Sequence, residues 1–163
     1  MDSGAPLALF VYGTLKKGFP AHERFFGKDA ESERAVVRGS LFDLPAGYPA
    51  LAVPDADILA IGTADARCDA ARQRETLLAC RTHPASGETI SGEIFRLDPE
   101  RLLPALDVFE GFDPNGESLY RRVLIPAWTR SGKVFAAWAY VMGSPSGERL
   151  PGGAWTPRGE PSP

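Results

Sequence analysis

Apolar residues fall into short blocks rather than heptads or one long helical stripe, and the blocks predict strands with a few short helices. Leu7 to Tyr12 (Leu-Ala-Leu-Phe-Val-Tyr) is apolar on both faces, as a strand covered from both sides requires, and it stops at Gly13. Gly13 to Gly18 then forms a tight, glycine-bracketed loop. Pro20 opens one or two helical turns over Ala21 to Phe26, with Phe25 and Phe26 turned inward. Arg34 to Leu44 reads as one strand with a bulge or a close backbone approach at Gly39. Pro45-Ala46-Gly47 turns the chain into a short strand from Tyr48 to Val53.

The pattern weakens from Asp55 to Glu88, where good helix formers predict a helix over Cys68 to Arg81 inside a surface excursion. A long polar insertion of this kind suits a lid or selectivity element, the alternative being a decorative surface loop. Strand character resumes over Gly92 to Leu97, and Asp98-Pro99 supplies an N-cap followed by proline at the first helical position. That helix should run to Glu110 and end at Gly111, with a kink or a late start because Pro104 removes one internal hydrogen bond. Tyr120 to Trp128 and Val134 to Met142, joined through residues 129–133, form the clearest hairpin. Domain organisation is read as one domain over residues 1–142, including the 55–88 excursion, followed by a tail over 143–163. Ten of the chain's 32 Gly and Pro fall in that tail, where Trp155 is the residue able to dock on the body while the terminus frays.

Composition narrows the functional classes. At 163 residues and 44% apolar content the chain is long and hydrophobic enough for a folded core, and no run approaches the ~18 apolar residues of a membrane helix. A net charge of −3 lacks the basic footprint of a nucleic-acid binder, which leaves a small molecule as the expected partner, with neither nucleic acid nor membrane; it leaves the oligomeric state open. Asp2 and the absence of a basic residue before Leu7 to Val11 do not read as a secretory signal, so a cytoplasmic protein with Cys68 and Cys80 as free thiols is expected.

Two places carry candidate chemistry. Glu110 lies seven positions after Leu103, about 700° of helical rotation and therefore within ~20° of the same face. A carboxylate on that stripe either finds a partner or has its pKa raised by desolvation, as proton transfer near neutrality needs; the alternative is a helix-end glutamate that turns to solvent at Gly111. At Tyr12-Gly13-Thr14-Leu15 a glycine lets the backbone approach a ligand, and successive amides can cradle a carboxylate or oxyanion, unless the segment is an ordinary turn. Lys16 and Lys17 would add positive potential there. His22 reads as a surface helix residue and Asp107 as part of a solvated acidic face. Cys68, Cys80 and His83 lack zinc-site spacing, and no dinucleotide, Walker or hydrolase-elbow motif is present, so neither metal nor cofactor is expected.

Taken together, Phe10-Val11-Tyr12-Gly13-Thr14-Leu15-Lys16-Lys17-Gly18, Gly47-Tyr48-Pro49-Ala50, Gly92-Glu93-Ile94-Phe95, Leu106-Asp107-Val108-Phe109-Glu110-Gly111 and Tyr120-Arg121-Arg122-Val123 resemble the γ-glutamylcyclotransferase-like family, most of all its γ-glutamylamine cyclotransferase branch. The resemblance spans about Leu7 to Met142 and implies an α+β fold, a small mixed β-barrel with flanking short helices. It implies a reaction without metal or cofactor in which the α-amine of a γ-glutamyl amine or peptide attacks its own γ-carbonyl and 5-oxoproline is released. It implies Glu110 as the catalytic acid/base and Tyr12, Gly13, Thr14 and Leu15 as the substrate-binding loop, with Tyr120 lining the site. Ala21 departs from the family's usual polar character at that position. A non-catalytic binding or interaction domain on the same fold is the alternative; an amidohydrolase, releasing free glutamate, is a third reading.

Overall fold

A computed structural model describes residues 6–76 and 88–156. In chain order the elements are β1 (Leu7–Val11), α1 (Pro20–Phe26), β2 (Ser32–Arg38), β3 (Ser40–Asp43), β4 (Pro49–Ala52), β5 (Ala60–Ile61), α2 (Ala66–Glu75), β6 (Thr89–Leu97), α3 (Pro99–Glu110), β7 (Arg121–Thr129), β8 (Val134–Val141) and β9 (Glu148–Arg149). The larger sheet has the order β2-β6-β1-β8-β7-β5, and Ala35 and Val36 of β2 also pair with Thr129 and Trp128 of β7. That pairing closes five strands into a barrel, as expected of an α+β fold of this kind. Among the described residues only β1 and β8 run parallel; the other pairings are antiparallel.

The two apolar faces of β1 have different destinations. Ala8, Phe10 and Tyr12 join Val37, Ile94, Ile125 and Ala139 in the barrel interior. Leu7, Leu9 and Val11 face a second layer made with Trp138, Leu103, Leu106 and Phe25, where the helices cover the barrel wall. The hairpin β7–β8 turns at Gly132, whose φ of +87° suits glycine, and Thr129 N–H closes it on the Lys133 carbonyl at 2.9 Å. Pro126 sits inside β7 because its missing N–H faces the gap between β5, which pairs at Val123 and Leu124, and β2, which pairs at Trp128 and Thr129.

Several expectations change. The stretch from Arg34 to Leu44 is two strands in two sheets: at Gly39 the chain leaves the barrel for the smaller sheet, β4-β3-β9, and a Cβ there would lie 2.5 Å from the Ala52 carbonyl oxygen. The helix starts at Ala66 and ends at Glu75, capped by Asp65, rather than covering Cys68 to Arg81; residues 77–87, with Cys80 and His83, lie outside the described residues. α3 neither starts late nor breaks, because Asp98 caps it and exposed Pro104 leaves the Glu100 carbonyl facing solvent. Residues 143–156 pack against the body: Glu148 and Arg149 pair with β3, and Trp155 is buried, with its indole N–H on Asp43.

The helices are tied to the barrel by a buried guanidinium. Arg122, on an otherwise apolar strand, is without solvent contact and lies 5.2 Å from the rings of both Phe112 and Trp138. It donates to both Asp107 carboxylate oxygens (2.8 and 3.1 Å), to Asp69 (2.7 Å) and to the Thr63 carbonyl (2.9 Å). Asp107 also accepts from the Tyr140 hydroxyl at 2.7 Å. Asp107 is therefore an anchor, not part of a solvated acidic face. Arg122→Met, which strands two carboxylates away from water, should destabilise the fold by about 3–5 kcal/mol, measured by urea denaturation.

Candidate active site

β1, the loop after it, α3 and the start of β7 enclose a cavity of about 520 Å³. Its lining includes Tyr12, Gly13, Thr14, Leu15, Glu110 and Tyr120, so the structure brings the expected acid/base, the loop and the lining phenol to one space. Among the described residues Glu110 is the one charged side chain of that lining.

Glu110 is the last residue of α3. Gly111 ends the helix in the left-handed conformation (φ +70°), and Phe112 N–H returns to the Asp107 carbonyl at 2.8 Å. The carboxyl is thus set at the cavity by a C-cap three residues beyond the Arg122 anchor. No hydrogen bond or ion pair reaches it among the described residues. Burial pushes its pKa up to about 7, and its place at the negative end of the helix acts in the same direction.

Four phenols line the same cavity, and three are fully engaged. Tyr12 donates to the Tyr140 carbonyl (2.6 Å) and accepts from Leu51 N–H (3.3 Å), pinning the end of β1 to β8 and β4. Tyr120 donates to the Pro49 carbonyl at 2.7 Å. Tyr140 donates to Asp107. Burial, reinforced by the Glu110 charge, holds the Tyr12 and Tyr120 phenols above their usual range; burial and Asp107 do the same for Tyr140. These hydroxyls stay neutral and position the wall.

The loop after β1 folds as a turn, Lys16 N–H meeting the Gly13 carbonyl at 3.0 Å, while the amides of Thr14 and Leu15 have no partner among the described residues. His22 holds the loop's far side. Its Nδ1 lies 3.1 Å from the Leu15 carbonyl oxygen, which can only accept, so Nδ1 carries the proton and Nε2 is buried with no partner among the described residues. His22 is 1% exposed against Phe26 and Phe95, not a surface residue; a histidine beside two phenylalanines was the available signal. Lys16 turns away from the cavity, its ammonium on the Trp155 carbonyl at 3.1 Å, and Lys17 does not line it either. The described part of the 55–88 excursion contributes no residue to the lining; it packs on the Arg122 side, with Gln73 accepting from Ala8 N–H at 2.9 Å. Tyr48, Pro49 and Tyr140 are wall residues that the sequence reading did not assign to the site.

Among the described residues no group of three His, Cys, Asp or Glu could hold a metal ion, and no helix is long and apolar enough to cross a membrane.

A closed five-stranded barrel, flanked by three short helices and carrying a glutamate-bearing cavity beside the end of β1, defines the class of γ-glutamyl-cyclotransferase-fold proteins. The sequence profile of the family described as gamma-glutamyl cyclotransferase, AIG2-like, matches residues 9–64 and 60–157, and the chain belongs to that family. Its fold is similar to those of an AIG2-like protein from Mus musculus (TM-score 0.52, 21% identity, 85% of this chain and 78% of that one) and of YkqA from Bacillus subtilis (0.55, 23%, 92% and 39%). An uncharacterized protein from Pyrococcus horikoshii is similar too (0.50, 19%, 91% and 88%). The chain thus spans about two fifths of the Bacillus protein's length. A comparison with curated proteins gave no match.

Two substitutions test this geometry. At Gly13 a Cβ would lie 2.6 Å from Pro49 Cγ, so Gly13→Ala should move the proline that anchors Tyr120 and lower stability by about 1–3 kcal/mol. For Glu110 the folded pKa of about 7 exceeds the unfolded ~4.3, so stability falls as pH rises through that window, and the burial cost is complete above about pH 7. Glu110→Gln should therefore be more stable than the wild type by about 1–3 kcal/mol at pH 8 and about equal to it at pH 4, measured by denaturant unfolding.

Proposed function

We infer that the chain is a γ-glutamyl cyclotransferase that releases 5-oxoproline from a γ-glutamyl amine or peptide, as the γ-glutamylamine branch does. One observation carries this reading: a single carboxyl, its pKa pushed up to about 7 by burial, in an otherwise uncharged cavity lined also by a loop whose Thr14 and Leu15 amides have no partner among the described residues. Family membership supports cyclotransferase-type chemistry independently.

The reaction needs little machinery. The nucleophile and the electrophile belong to one substrate, so ring closure supplies proximity. In the carboxylate form, Glu110 takes a proton from the substrate's α-ammonium. The freed amine nitrogen forms a bond to the γ-carbonyl carbon, and the negative charge that develops on the carbonyl oxygen is met by backbone N–H groups of the Gly13 to Leu15 segment. Collapse breaks the bond to the departing nitrogen, to which Glu110 returns the proton; the second proton, shed by the ring nitrogen as it becomes the lactam N–H, passes through Glu110 to the same amine, which leaves as its ammonium and restores the carboxylate. Products are 5-oxoproline and a free amine; no water is consumed. A pKa of about 7 suits a group that must both accept and return a proton in one turnover. The same chemistry needs neither metal nor cofactor, and it fits a cytoplasmic enzyme acting on a small molecule.

Glu110→Gln keeps the shape of the side chain and removes the shuttle. Turnover should fall by about 10²-fold or more, followed as 5-oxoproline by mass spectrometry. In the wild type the rate should rise with pH along an acid limb centred at about 7, and that limb should vanish from the residual activity of the variant. Wild-type turnover in a folded Glu110→Gln protein would end this mechanism. Free glutamate in place of 5-oxoproline would instead identify a hydrolase, and no product from any γ-glutamyl compound would leave a binding domain.

A further inference from the structure

His22, on α1, takes no part in the reaction above and does not line the cavity, yet it is sealed from solvent in an apolar layer. Its ring centroid stands 4.8 Å from that of Phe95 and 5.3 Å from that of Phe26, two rings that are themselves stacked at 4.8 Å. Hydrocarbon would suit that place better. The imidazole leaves Nε2 buried with no partner among the described residues, and an unmade hydrogen bond in such surroundings lowers stability. What the histidine supplies and a leucine could not is a donor, Nδ1–H, aimed at the Leu15 carbonyl oxygen 3.1 Å away.

That carbonyl belongs to the peptide joining Leu15 to Lys16, and both ends of the peptide are held. Lys16 N–H closes the turn on the Gly13 carbonyl at 3.0 Å, while His22 takes the oxygen. A peptide unit is planar, so one hydrogen bond on each side fixes its orientation. The histidine is itself tied to the same segment, its own N–H reaching the Phe19 carbonyl at 3.1 Å. Immediately before this peptide come Thr14 and Leu15, which line the cavity with amides that have no partner among the described residues. Were its oxygen released, the peptide could rotate. Rotation breaks the turn at Gly13 and swings the carbonyl from the His22 side of the loop toward the cavity side. A carbonyl there repels the oxyanion that an N–H stabilises.

We propose that His22 is a positioning residue: by holding the Leu15 carbonyl on the side of the loop away from the cavity, it keeps the Thr14 and Leu15 amides set for the developing oxyanion, and the chain retains it at a cost in stability. This rests on the cyclotransferase reading above and adds to it a residue outside the cavity.

Two substitutions separate this role from packing. His22→Leu fills the apolar site and removes the donor, whereas His22→Asn puts its side-chain nitrogen where Nδ1 stands but fills the site poorly. In urea denaturation His22→Leu should be at least as stable as the wild type and His22→Asn less stable; a clearly less stable His22→Leu overturns the cost in stability. Turnover of γ-glutamyl methylamide and γ-glutamylalanine, followed as 5-oxoproline, should run the other way. In His22→Leu kcat should fall about 10-fold or more with KM within about threefold, because the lost support acts in the transition state, and His22→Asn should recover most of that loss. Activity that tracks stability, with His22→Leu at the wild-type rate and His22→Asn impaired, overturns the proposal, and so does a loss confined to KM. Hydrogen exchange at the Lys16 amide reads the loop without any substrate: it should quicken in His22→Leu and slow again in His22→Asn, and equal rates in the three proteins overturn the proposal. Should the wild type release 5-oxoproline from neither compound, the failure belongs to the cyclotransferase reading, and the exchange rates still decide the positioning role. If His22→Leu does not fold, the imidazole ¹⁵N spectrum of the wild type decides: a proton on Nδ1 supports the role, and a proton on Nε2 alone overturns it.

Discussion

A guanidinium sealed from water has to be enclosed by acceptors, and Arg122 meets this demand by drawing three parts of the chain onto one strand. Asp69 arrives on α2, the Thr63 carbonyl from the segment before it, and Asp107 on α3. Once Asp107 is fixed the rest of α3 follows, because a helix has no freedom between one residue and the next turn. Glu110 lies three residues on and its direction is inherited. The Tyr140 hydroxyl on Asp107 extends the constraint across β8 to the cavity wall.

The electrostatics of the cavity depend on what is kept out of it. Lys16 sits one residue beyond the Gly13 to Leu15 segment, yet its ammonium is spent on the Trp155 carbonyl. A cation next to Glu110 would pull its carboxyl back toward the ordinary acidic range and leave it a poor proton donor. With hydrocarbon, phenols and backbone around it, the carboxyl stays close to the midpoint at neutral pH.

The legible parts of the molecule were those whose signals are local. β1 and its glycine stop, the capped helix ending at Gly111 and the β7–β8 hairpin each declare themselves within one continuous stretch of sequence, and all three supply residues of the cavity wall. Elsewhere the deciding partner is remote. Nothing between Arg34 and Leu44 tells that Gly39 must clear the Ala52 carbonyl, so two strands read as one. Asp107 read as part of a solvated face because its pairing with Arg122 exists only after α3 lies on β7. His22 gave a weak hint through Phe25 and Phe26, and Trp155 gave none of its place beside Asp43 and Lys16. Tyr48 read as the start of an ordinary strand because a cavity wall leaves no periodicity.

The contact between Lys16 and Trp155 joins residues 139 positions apart, and the Trp155 ring lies 5.7 Å from that of Phe19, itself a lining residue. The loop is thus completed by a segment that leaves the ribosome 139 residues after it. Long-range closures of this sort raise contact order and come late on the folding route. During synthesis the barrel strands can begin to pair while the cavity still lacks this support, so its final shape forms only once Trp155 has emerged and docked.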